Sequence, residues 1–476
     1  MIRYAVSPEH LSRRAALQLS TCGFGYLAFA GLTATAAAKE VAANPLASKP
    51  PHFPAKAKRV IFLCMAGGPS HVDTFDHKPK LTADDGKAPP SGQGRGFLAG
   101  KLLGSPWKFQ PGGKSGLMIS ELFPALGQVA DELCLLNGMH TNVPAHPQAF
   151  LQLHTGTSQF IRPSLGAWTL YGLGTENQNL PGFISINPPT QNGGSQNYGS
   201  SFLPAIYQGT RINSGGGRGP GGYGGSGGTA GVSNIANAKL GSASQRAQLD
   251  FIQSLNREEL ARDTVNPQVE GVIQSYELAF RMQRDVPKVM DLTTESKETL
   301  AMYGADAAGS GTFGRQCLLA RRFVEAGVRF VEVTYGNWDQ HLNLRTDLPR
   351  HATAIDKPIA GLLADLKRRG MLQDTLVVWS GEFGRTPYAQ GLDGRDHNNK
   401  GFTAWFAGGG VRGGIHHGST DDYGSEAVTG KVHTHDFHAT ILHLMGLDHE
   451  KLTFRYAGRD FRLTDVHGNV VKEILA

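Results

Sequence analysis

The amino-acid sequence predicts an α/β protein with three αβα layers around a mostly parallel, doubly wound sheet. Short apolar runs alternate with segments of helical periodicity along most of the chain, which is typical of strands joined by helical crossovers. Three of these runs end just before acids or histidines, as expected where an open sheet binds ligands at the carboxyl ends of its strands. The 476 residues, 40% of them hydrophobic, suffice for one large domain with insertions or for two smaller domains.

The amino-terminal segment is predicted to lie outside the folded domain. Ser12-Arg13-Arg14 resembles a twin-arginine export signal, and an apolar stretch over residues 19–32 and small residues typical of a cleavage site follow it. This stretch is shorter than the about 20 residues that a membrane-spanning helix needs. We therefore predict a signal peptide over 1–38, a linker over 39–57 and a periplasmic or extracellular protein that meets the membrane only during export. An uncleaved amphipathic anchor is the alternative.

The α/β domain is predicted over residues 58–470, with two interruptions. Residues 214–231 are mostly glycine with a few Ser, Arg and Tyr, cannot bury apolar surface and are predicted to be disordered. Residues 244–302 have helical periodicity without an apolar strand, which predicts a helical insertion. The other segments are assigned by apolar runs, by periodicity and by Gly or Pro at turns. They are strands at 59–65, 133–138, 183–186, 328–335, 376–380 and 402–407, and helices at 119–131, 149–154, 313–326, 355–369 and 437–445.

Charge and cysteine content exclude two classes of protein. The formal net charge is +6, but several basic residues lie in the predicted leader and the rest form no basic stripe. This distribution argues against nucleic-acid binding. Of the four cysteines, Cys22 lies in the leader, while Cys64, Cys134 and Cys317 each lie in an apolar segment. We predict that these three are buried thiols and neither a disulfide framework nor a zinc knuckle.

Acids and histidines follow the ends of three predicted strands. In chain order they are Asp73, the pair Asp339 and His341, and Glu382, with Asp396 and His397 in the loop before the strand at 402–407. Carboxylates and imidazoles together bind divalent metals, and a mixed oxygen and nitrogen set suits Zn, Mn, Fe or, with more water, Ca. The structural alternatives are a helix cap for Asp73, a polar turn for Asp339 and His341, and an ion pair of Glu382 with Arg385.

Five motifs, at residues 65–73, 337–341, 381–387, 394–398 and 435–442, resemble the DUF1501 family of exported proteins. In their order and chemistry they also resemble the alkaline phosphatase superfamily, which includes sulfatases and cofactor-independent phosphoglycerate mutases. The resemblance implies an alkaline phosphatase-like fold. It also implies two divalent metals that clamp a phosphoryl or sulfuryl group during transfer.

The resemblance assigns the predicted ligands to two metals. It implies that Asp339, His341 and His397 bind one metal, with Asp396 as a further ligand or as the partner that orients His397. Asp73 and Glu382 would bind the other. Phe383 stands where the superfamily usually has a histidine, so this second set is incomplete.

The resemblance also implies catalytic residues. The nucleophile of the superfamily would fall near His146, and Thr141 is the nearest hydroxyl. Activation of Thr141 by metal is one route, and direct attack by metal-activated water is the alternative. His140 and His146 could ligate metal or transfer protons. Arg385 would bind an anionic ester oxygen.

These assignments predict an exported metal-dependent hydrolase of phosphate or sulfate esters. Its substrate would be a small anionic ester or a sulfated or phosphorylated glycan. A formylglycine sulfatase is not expected, because the chain has no Cys-x-Pro-x-Arg motif. Two alternatives remain open: a degenerate member that binds metal or glycan without turnover, and a structural protein of a surface assembly.

Overall fold

The computed structural model describes residues 44–476 except 91–99, 214–230, 233–234, 236–239, 263–266 and 307–312. The predicted signal peptide and nearly all of the predicted Gly-rich loop lie outside the described residues. Among the described residues, no helix combines the length and apolar character that crossing a membrane requires. Cys64, Cys134 and Cys317 are buried free thiols, which confirms their prediction.

The described elements alternate between strand and helix over most of the chain. The strands are β1 Arg59–Met65, β2 Phe109–Gly112, β3 Leu117–Ser120, β4 Leu133–His140, β5 Phe183–Ile186, β6 Thr210–Ile212, β7 Phe330–Tyr335, β8 Thr375–Ser380, β9 Gly384–Ala389, β10 Arg395–Asn398, β11 Phe402–Ala407, β12 Ile415–His417, β13 Ser419–Thr420, β14 Ala427–Thr429, β15 Val432–His433, β16 Phe454–Tyr456 and β17 Arg459–Phe461. The α-helices are α1 His71–Thr74, α2 Pro79–Ala83, α3 Pro124–Gln128, α4 His146–Thr155, α5 Leu165–Leu173, α6 Ser242–Arg262, α7 Pro267–Met290, α8 Lys297–Met302, α9 Phe313–Glu325, α10 Leu344–Arg368 and α11 Thr434–Leu444.

The central sheet has nine strands among the described residues, in the order β12-β4-β11-β8-β1-β7-β5-β6, with β15 also paired to β4. Strands β8, β1, β7, β5 and β6 pair in parallel. Strand β11 alone is antiparallel to both of its neighbours, β8 and β4. The predicted mostly parallel α/β sheet is therefore confirmed.

Helices cover both faces of this sheet. On one face Phe62 of β1 packs against Phe437 of α11, with α4 beside it. On the other face Tyr335 of β7 packs against Phe313 of α9. Phe62 pairs with Glu332, three residues before Tyr335, so the alternation of side chains along a strand places Phe62 and Tyr335 on opposite faces. The result is the predicted three-layer αβα arrangement.

The helical insertion consists mainly of α6 and α7, which pack against each other. Arg246 of α6 forms an ion pair with Glu277 of α7, with a nitrogen–oxygen distance of 2.9 Å. The buried side-chain amide of Gln253 donates to the carbonyl oxygen of Ile273 at 2.8 Å. These two contacts join α6 to α7. They stabilise an insertion in which, among its described residues, no strand takes part.

Two predicted segments differ from the structure. Residues 119–131 were predicted as one helix, but only α3 is α-helical, because residues 117–120 pair with β2 and Pro124 begins the helix. The helix predicted over 355–369 begins earlier, at Leu344, after Asn343 in a left-handed conformation. It continues past Pro349 and Pro358, each of which lacks a backbone N–H to donate.

The loops after β1, β7 and β8 emerge at one edge of the sheet. Met65 pairs with Tyr335 and Cys64 pairs with Ser380, so the three strands end side by side. The antiparallel hairpin β9–β10 follows β8 directly. This edge therefore carries the polar loops that contain the predicted ligands.

Candidate metal centre

Four side chains converge at this edge: His146, Asp339, His341 and His397. Each offers one ligand atom, and the four atoms all lie within 4.8 Å of one another. They come from three elements, because His146 is the first residue of α4, Asp339 and His341 lie in the loop after β7, and His397 lies in β10. We call this set the four-residue centre.

Close packing of two loops places Asp339 in the centre. Gly67 has φ of 113°, and a Cβ on it would lie 2.7 Å from the backbone nitrogen of Trp338. That nitrogen donates to the carbonyl of Ala66 at 3.2 Å. Only glycine allows both the left-handed conformation and this approach. The loop after β1 thereby supports the loop that carries Asp339.

One carboxylate oxygen faces all three imidazoles of the centre. Asp339 Oδ1 is 2.9 Å from Nε2 of His341, 3.2 Å from Nε2 of His397 and 3.3 Å from Nε2 of His146. The Nε2 atoms of His341 and His397 are themselves 2.9 Å apart. All three imidazoles thus direct the same ring nitrogen to one point.

The other ring nitrogen of each histidine faces a hydrogen-bond acceptor. Nδ1 of His146 lies 2.6 Å from Glu382 Oε1, and Nδ1 of His397 lies 2.6 Å from the carbonyl oxygen of Pro144. Nδ1 of His341 lies 2.5 Å from Gln390 Oε1. An oxygen of this kind only accepts, so each Nδ1 carries the proton and, in the neutral ring, each Nε2 carries a lone pair.

This arrangement fits a divalent metal. Lone pairs and a carboxylate oxygen at these distances repel one another unless a cation lies between them. A metal bound at about 2.0–2.1 Å in tetrahedral geometry separates its ligand atoms by about 3.3 Å. The three distances from Asp339 Oδ1 and the one between His341 and His397, 2.9–3.3 Å, are at or just below that value, and all pairs of ligand atoms lie within 4.8 Å. Hydrogen-bonded Nδ1 atoms are also the usual support of metal-bound histidines.

The electrostatics of the centre favour positive charge. Burial raises the pKa of Asp339, but hydrogen bonds from Nε2 of the three histidines, which donate when the rings are protonated, and the charge of Arg385 outweigh it and hold this pKa well below its usual range. Burial lowers the pKa of His146, whereas the hydrogen bonds to Asp339 and Glu382 outweigh it and raise the pKa to about 9. A divalent cation would supply the same positive charge.

Asp339, His341 and His397 come together in the structure as the resemblance implies. His146, for which metal binding and proton transfer were both open, joins them as the fourth member. Asp396 lies outside the group: its side chain is 57% exposed and 3.9 Å from Nδ1 of His341. It accepts a hydrogen bond from the backbone nitrogen of His397 at 2.8 Å, so it supports that residue.

The structure does not bring Asp73 or Glu382 into the group. Asp73 is fully buried, and its two oxygens accept from Arg395 at 2.6 and 3.0 Å. Glu382 is 1% exposed and accepts from His146 and from the backbone nitrogen of Gly67. Both carboxylates therefore have partners within the protein.

The other two residues predicted to be catalytic, Thr141 and Arg385, also have partners within the protein. The buried hydroxyl of Thr141 donates to Gln152 Oε1 at 3.0 Å. Arg385 is fully buried, donates to the carbonyl oxygens of Gly67 and Gly68, and contacts Asp339 Oδ1 at 2.6 Å. The guanidinium thus positions Asp339 and is not exposed to an ester oxygen.

Sequence reasoning missed two residues that support the centre, Pro144 and Gln390. Gln390 lies between β9 and β10, outside every motif used for the prediction. Pro144 acts through its backbone carbonyl, which carries no signal of residue type. The one available clue was the short distance in sequence between Pro144 and His146.

Comparison with known proteins identifies one matching protein family and several solved structures of low sequence identity. The sequence model of the family described as "Protein of unknown function (DUF1501)" matches residues 57–475. No curated protein sequence matches the chain.

Solved structures match over most of the chain at low identity. The PsFucS1 sulfatase from Pseudoalteromonas sp. is 12% identical, with coverage of 88% of this chain and 72% of that chain and a TM-score of 0.37. The lipoteichoic acid synthase LtaP from Listeria monocytogenes is 9% identical, with coverage of 91% and 81% and a TM-score of 0.34. The alkaline phosphatase from the Antarctic bacterium TAB5 is 9% identical, with coverage of 82% and 98% and a TM-score of 0.32. With TM-scores this low, the function has to be argued from the chain's own residues.

Proposed function

The chain belongs to the DUF1501 family, and we propose that it is an exported metal-dependent hydrolase of phosphate or sulfate esters. One observation carries the proposal: the Nε2 atoms of His146, His341 and His397 converge on Asp339 while each Nδ1 is held by an acceptor. A divalent metal bound there would polarise an ester oxygen and lower the pKa of water.

The charge and exposure of the centre suit an anionic substrate. Three neutral imidazoles and one carboxylate leave a divalent ion with one net positive charge. The side chains of Asp339 and His341 are 21% and 32% exposed, so solvent reaches the centre. The choice of phosphate and sulfate esters, including those of glycans, comes from the five sequence motifs, and this charge agrees with it.

A degenerate protein that binds metal without turnover is the second candidate. The observation in its favour is that Thr141, the predicted nucleophile, donates its hydroxyl hydrogen to Gln152 and is 5% exposed. Arg385, the predicted contact for the ester, is also buried. Hydrolysis at this centre would therefore use water as the nucleophile.

Metal analysis tests the part that both candidates share. We expect the purified mature chain, natively or after supply of Zn, Mn, Fe or Ca, to retain metal. His397→Ala should lose it. His416→Ala, which alters an exposed histidine of β12, is the matched control and should retain it. Circular dichroism checks that both variants fold. A chain that takes up none of these metals would contradict both candidates.

Turnover separates the two candidates. We expect hydrolysis of an aryl phosphate or an aryl sulfate that is abolished by chelation, restored by metal and absent from His397→Ala. Metal binding without hydrolysis of either ester at any pH tested would favour the degenerate protein.

Export is a separate part of the proposal, supported by the pattern of residues 12–38. We expect full-length chain to reach the periplasm or medium in a host with twin-arginine transport. The double substitution Arg13→Lys and Arg14→Lys should retain the chain in the cytoplasm, as judged by cell fractionation. Equal export of both forms would contradict this part alone.

A further inference from the structure

We infer that the centre holds a single divalent ion and that the buried guanidinium of Arg395 occupies the position at Asp73 where a second ion would bind. This inference rests on the metal-binding part of the proposed function and is independent of turnover. The sequence resemblance implies a second metal on Asp73 and Glu382, and the residues around these two carboxylates do not fit one.

Asp73 already has a cation. Its carboxylate and the guanidinium of Arg395 are both fully buried and form a two-point ion pair, with distances of 2.6 Å to Nε and 3.0 Å to Nη2. The hydroxyl of Ser70 donates to the same carboxylate at 2.5 Å. A metal at Asp73 would have to displace the guanidinium and leave it buried without its partner, which is strongly unfavourable.

The guanidinium of Arg395 is held in place by its own hairpin. Its Nη1 donates to the carbonyl oxygen of Thr386 at 3.1 Å, and its backbone carbonyl accepts from Arg385 at 3.2 Å. Strands β9 and β10 thus deliver two arginines, one to Asp73 and one to Asp339. The same hairpin carries His397, which pairs with Arg385 in the register of the two strands.

Glu382 is engaged in orienting a ligand. Its Oε1 accepts from Nδ1 of His146 at 2.6 Å and from the backbone nitrogen of Gly67 at 3.0 Å, and its Oε2 lies 3.2 Å from that nitrogen. Metal binding through Oε1 would remove the acceptor that keeps the proton of His146 on Nδ1, and the ligand set of the first ion would lose its orientation. Only Oε2 is left for a metal, and it is buried and faces the backbone nitrogen of Gly67.

Phe383 closes the space where a further ligand would be needed. Its ring centroid lies 4.8 Å from that of His146 and 4.6 Å from that of His397. A phenyl ring offers no lone pair to a metal. In the part of the chain that the structure describes, the four-residue centre is the one group of three or more His, Cys, Asp or Glu side chains with metal-binding geometry.

Two ions would leave a larger net charge at the site than one ion. Three buried or half-buried carboxylates, of Asp73, Asp339 and Glu382, face two guanidiniums, of Arg385 and Arg395. The sum is one negative charge, and one divalent ion converts it to one positive charge. A second divalent ion would leave three positive charges in a largely buried site.

The stoichiometry of bound metal tests the inference. The mature chain is saturated with Zn or with Mn, freed of excess ion by gel filtration and analysed by mass spectrometry of the metal. We expect one ion per chain. Asp73→Asn, which keeps an oxygen for Arg395, should also bind one ion, with its dissociation constant changed by less than about threefold. Glu382→Gln should also bind one ion, about 10-fold more weakly, because the amide oxygen keeps the contact with Nδ1 of His146 but is a weaker acceptor than a carboxylate.

A second variant covers the case in which Asp73→Asn does not fold. The double substitution Asp73→Leu and Arg395→Met removes both members of the ion pair, which is better tolerated than removal of one. It should fold and bind one ion. Two ions per chain, or loss of the ion in folded Asp73→Asn or in the folded double variant, would overturn the inference. No ion at all would overturn it together with the proposed function, whereas one ion without ester hydrolysis would support it and contradict only the hydrolase.

Discussion

Each histidine of the centre depends on the acceptor behind it. The acceptors differ in kind, since Glu382 is a carboxylate, Pro144 offers a backbone carbonyl and Gln390 offers a side-chain amide. Of the three, Gln390 can be changed without loss of a buried charge or a change of backbone. It therefore gives the clearest test of whether Nδ1 bonding controls the Nε2 lone pairs.

Gln390→Leu should weaken metal binding about 10- to 100-fold, because His341 loses the acceptor that holds its proton on Nδ1. Competition with a chelating dye measures the change. Gln373→Leu, at an exposed position between α10 and β8, is the matched control and should bind as tightly as the wild type. Equal affinity of Gln390→Leu and wild type would mean that the contact does not position His341.

Alanine substitutions at Gly67 and Gly370 distinguish the effect of the close approach of the two loops from the effect of backbone strain. Both have positive φ, but a Cβ on Gly67 would lie 2.7 Å from Trp338, whereas a Cβ on Gly370 would meet nothing within 4 Å. Replacement by alanine costs each position about 1–2 kcal/mol for the left-handed conformation. Gly67→Ala should lose about 1–3 kcal/mol more, since the loops must separate.

Urea unfolding at neutral pH measures this difference in the free energy of unfolding. Gly67→Ala should also bind metal more weakly than Gly370→Ala, because Asp339 follows Trp338. If the two variants were equally stable and bound metal equally, the contact between the loops would not support the centre.

For single residues, the sequence predicts which side chains lie near the centre better than it predicts which groups they contact. Asp339, His341 and His397 follow strands that end at one edge, so their convergence could be predicted. Asp73 follows β1 at the same edge, but its carboxylate forms an ion pair with Arg395. That pairing depends on how the β9–β10 hairpin folds back, and no local pattern encodes it.

Among the elements, α4 links the centre to the core. It begins at His146 and contains His154 near its end. His154 is 2% exposed and its Nε2 lies 3.3 Å from Glu332 Oε2 of β7. Burial lowers the pKa of His154, but the charge of Glu332 outweighs it and raises the pKa above its ordinary value. This buried ion pair fixes the helix that presents His146.

His154→Leu should destabilise the protein by about 3–5 kcal/mol, because the buried charge of Glu332 loses its cationic partner and keeps only the hydroxyls of Ser185 and Thr334. The double substitution His154→Leu and Glu332→Leu should recover a large part of that loss, since it removes both charges. Denaturant unfolding of the three proteins measures the effect. A double variant no more stable than His154→Leu would show that the ion pair is not what the single substitution breaks.

Element types were predicted correctly where a short run is apolar throughout or where the apolar spacing fits a helix alone. The strands around 59–65, 328–335 and 376–380 all occur, as does the helix at 313–326. The prediction over 119–131 was wrong because apolar spacing there satisfies both a short strand and a short helix, and pairing with β2 decides between them. Such pairing is a tertiary effect that a local pattern does not contain.

The molecule as a whole buries several histidines in neutral form. His438 of α11 is fully buried, its Nε2 donates to the carbonyl oxygen of Leu153 at 2.7 Å, and burial lowers its pKa to about 3. Burial also lowers the pKa of His351 to about 4. Unfolding exposes these rings to water, where their pKa is about 6.5. At pH values between the lowered pKa of each buried ring and its pKa in water, the unfolded chain binds more protons than the folded protein. The free energy of unfolding therefore falls as the pH falls.

His438→Gln should therefore flatten the pH dependence of stability. Gln can still donate to Leu153 but does not titrate, and a histidine with these pKa values contributes about 2 kcal/mol of lost stability between pH 7 and pH 5. Urea unfolding at both pH values, on metal-free protein so that release of an ion does not contribute, should show a decrease smaller by about that amount than in the wild type. His416→Gln, at an exposed position of β12, should retain the wild-type decrease. An unchanged pH dependence in His438→Gln would mean that the pKa of His438 is about the same in the folded and the unfolded protein.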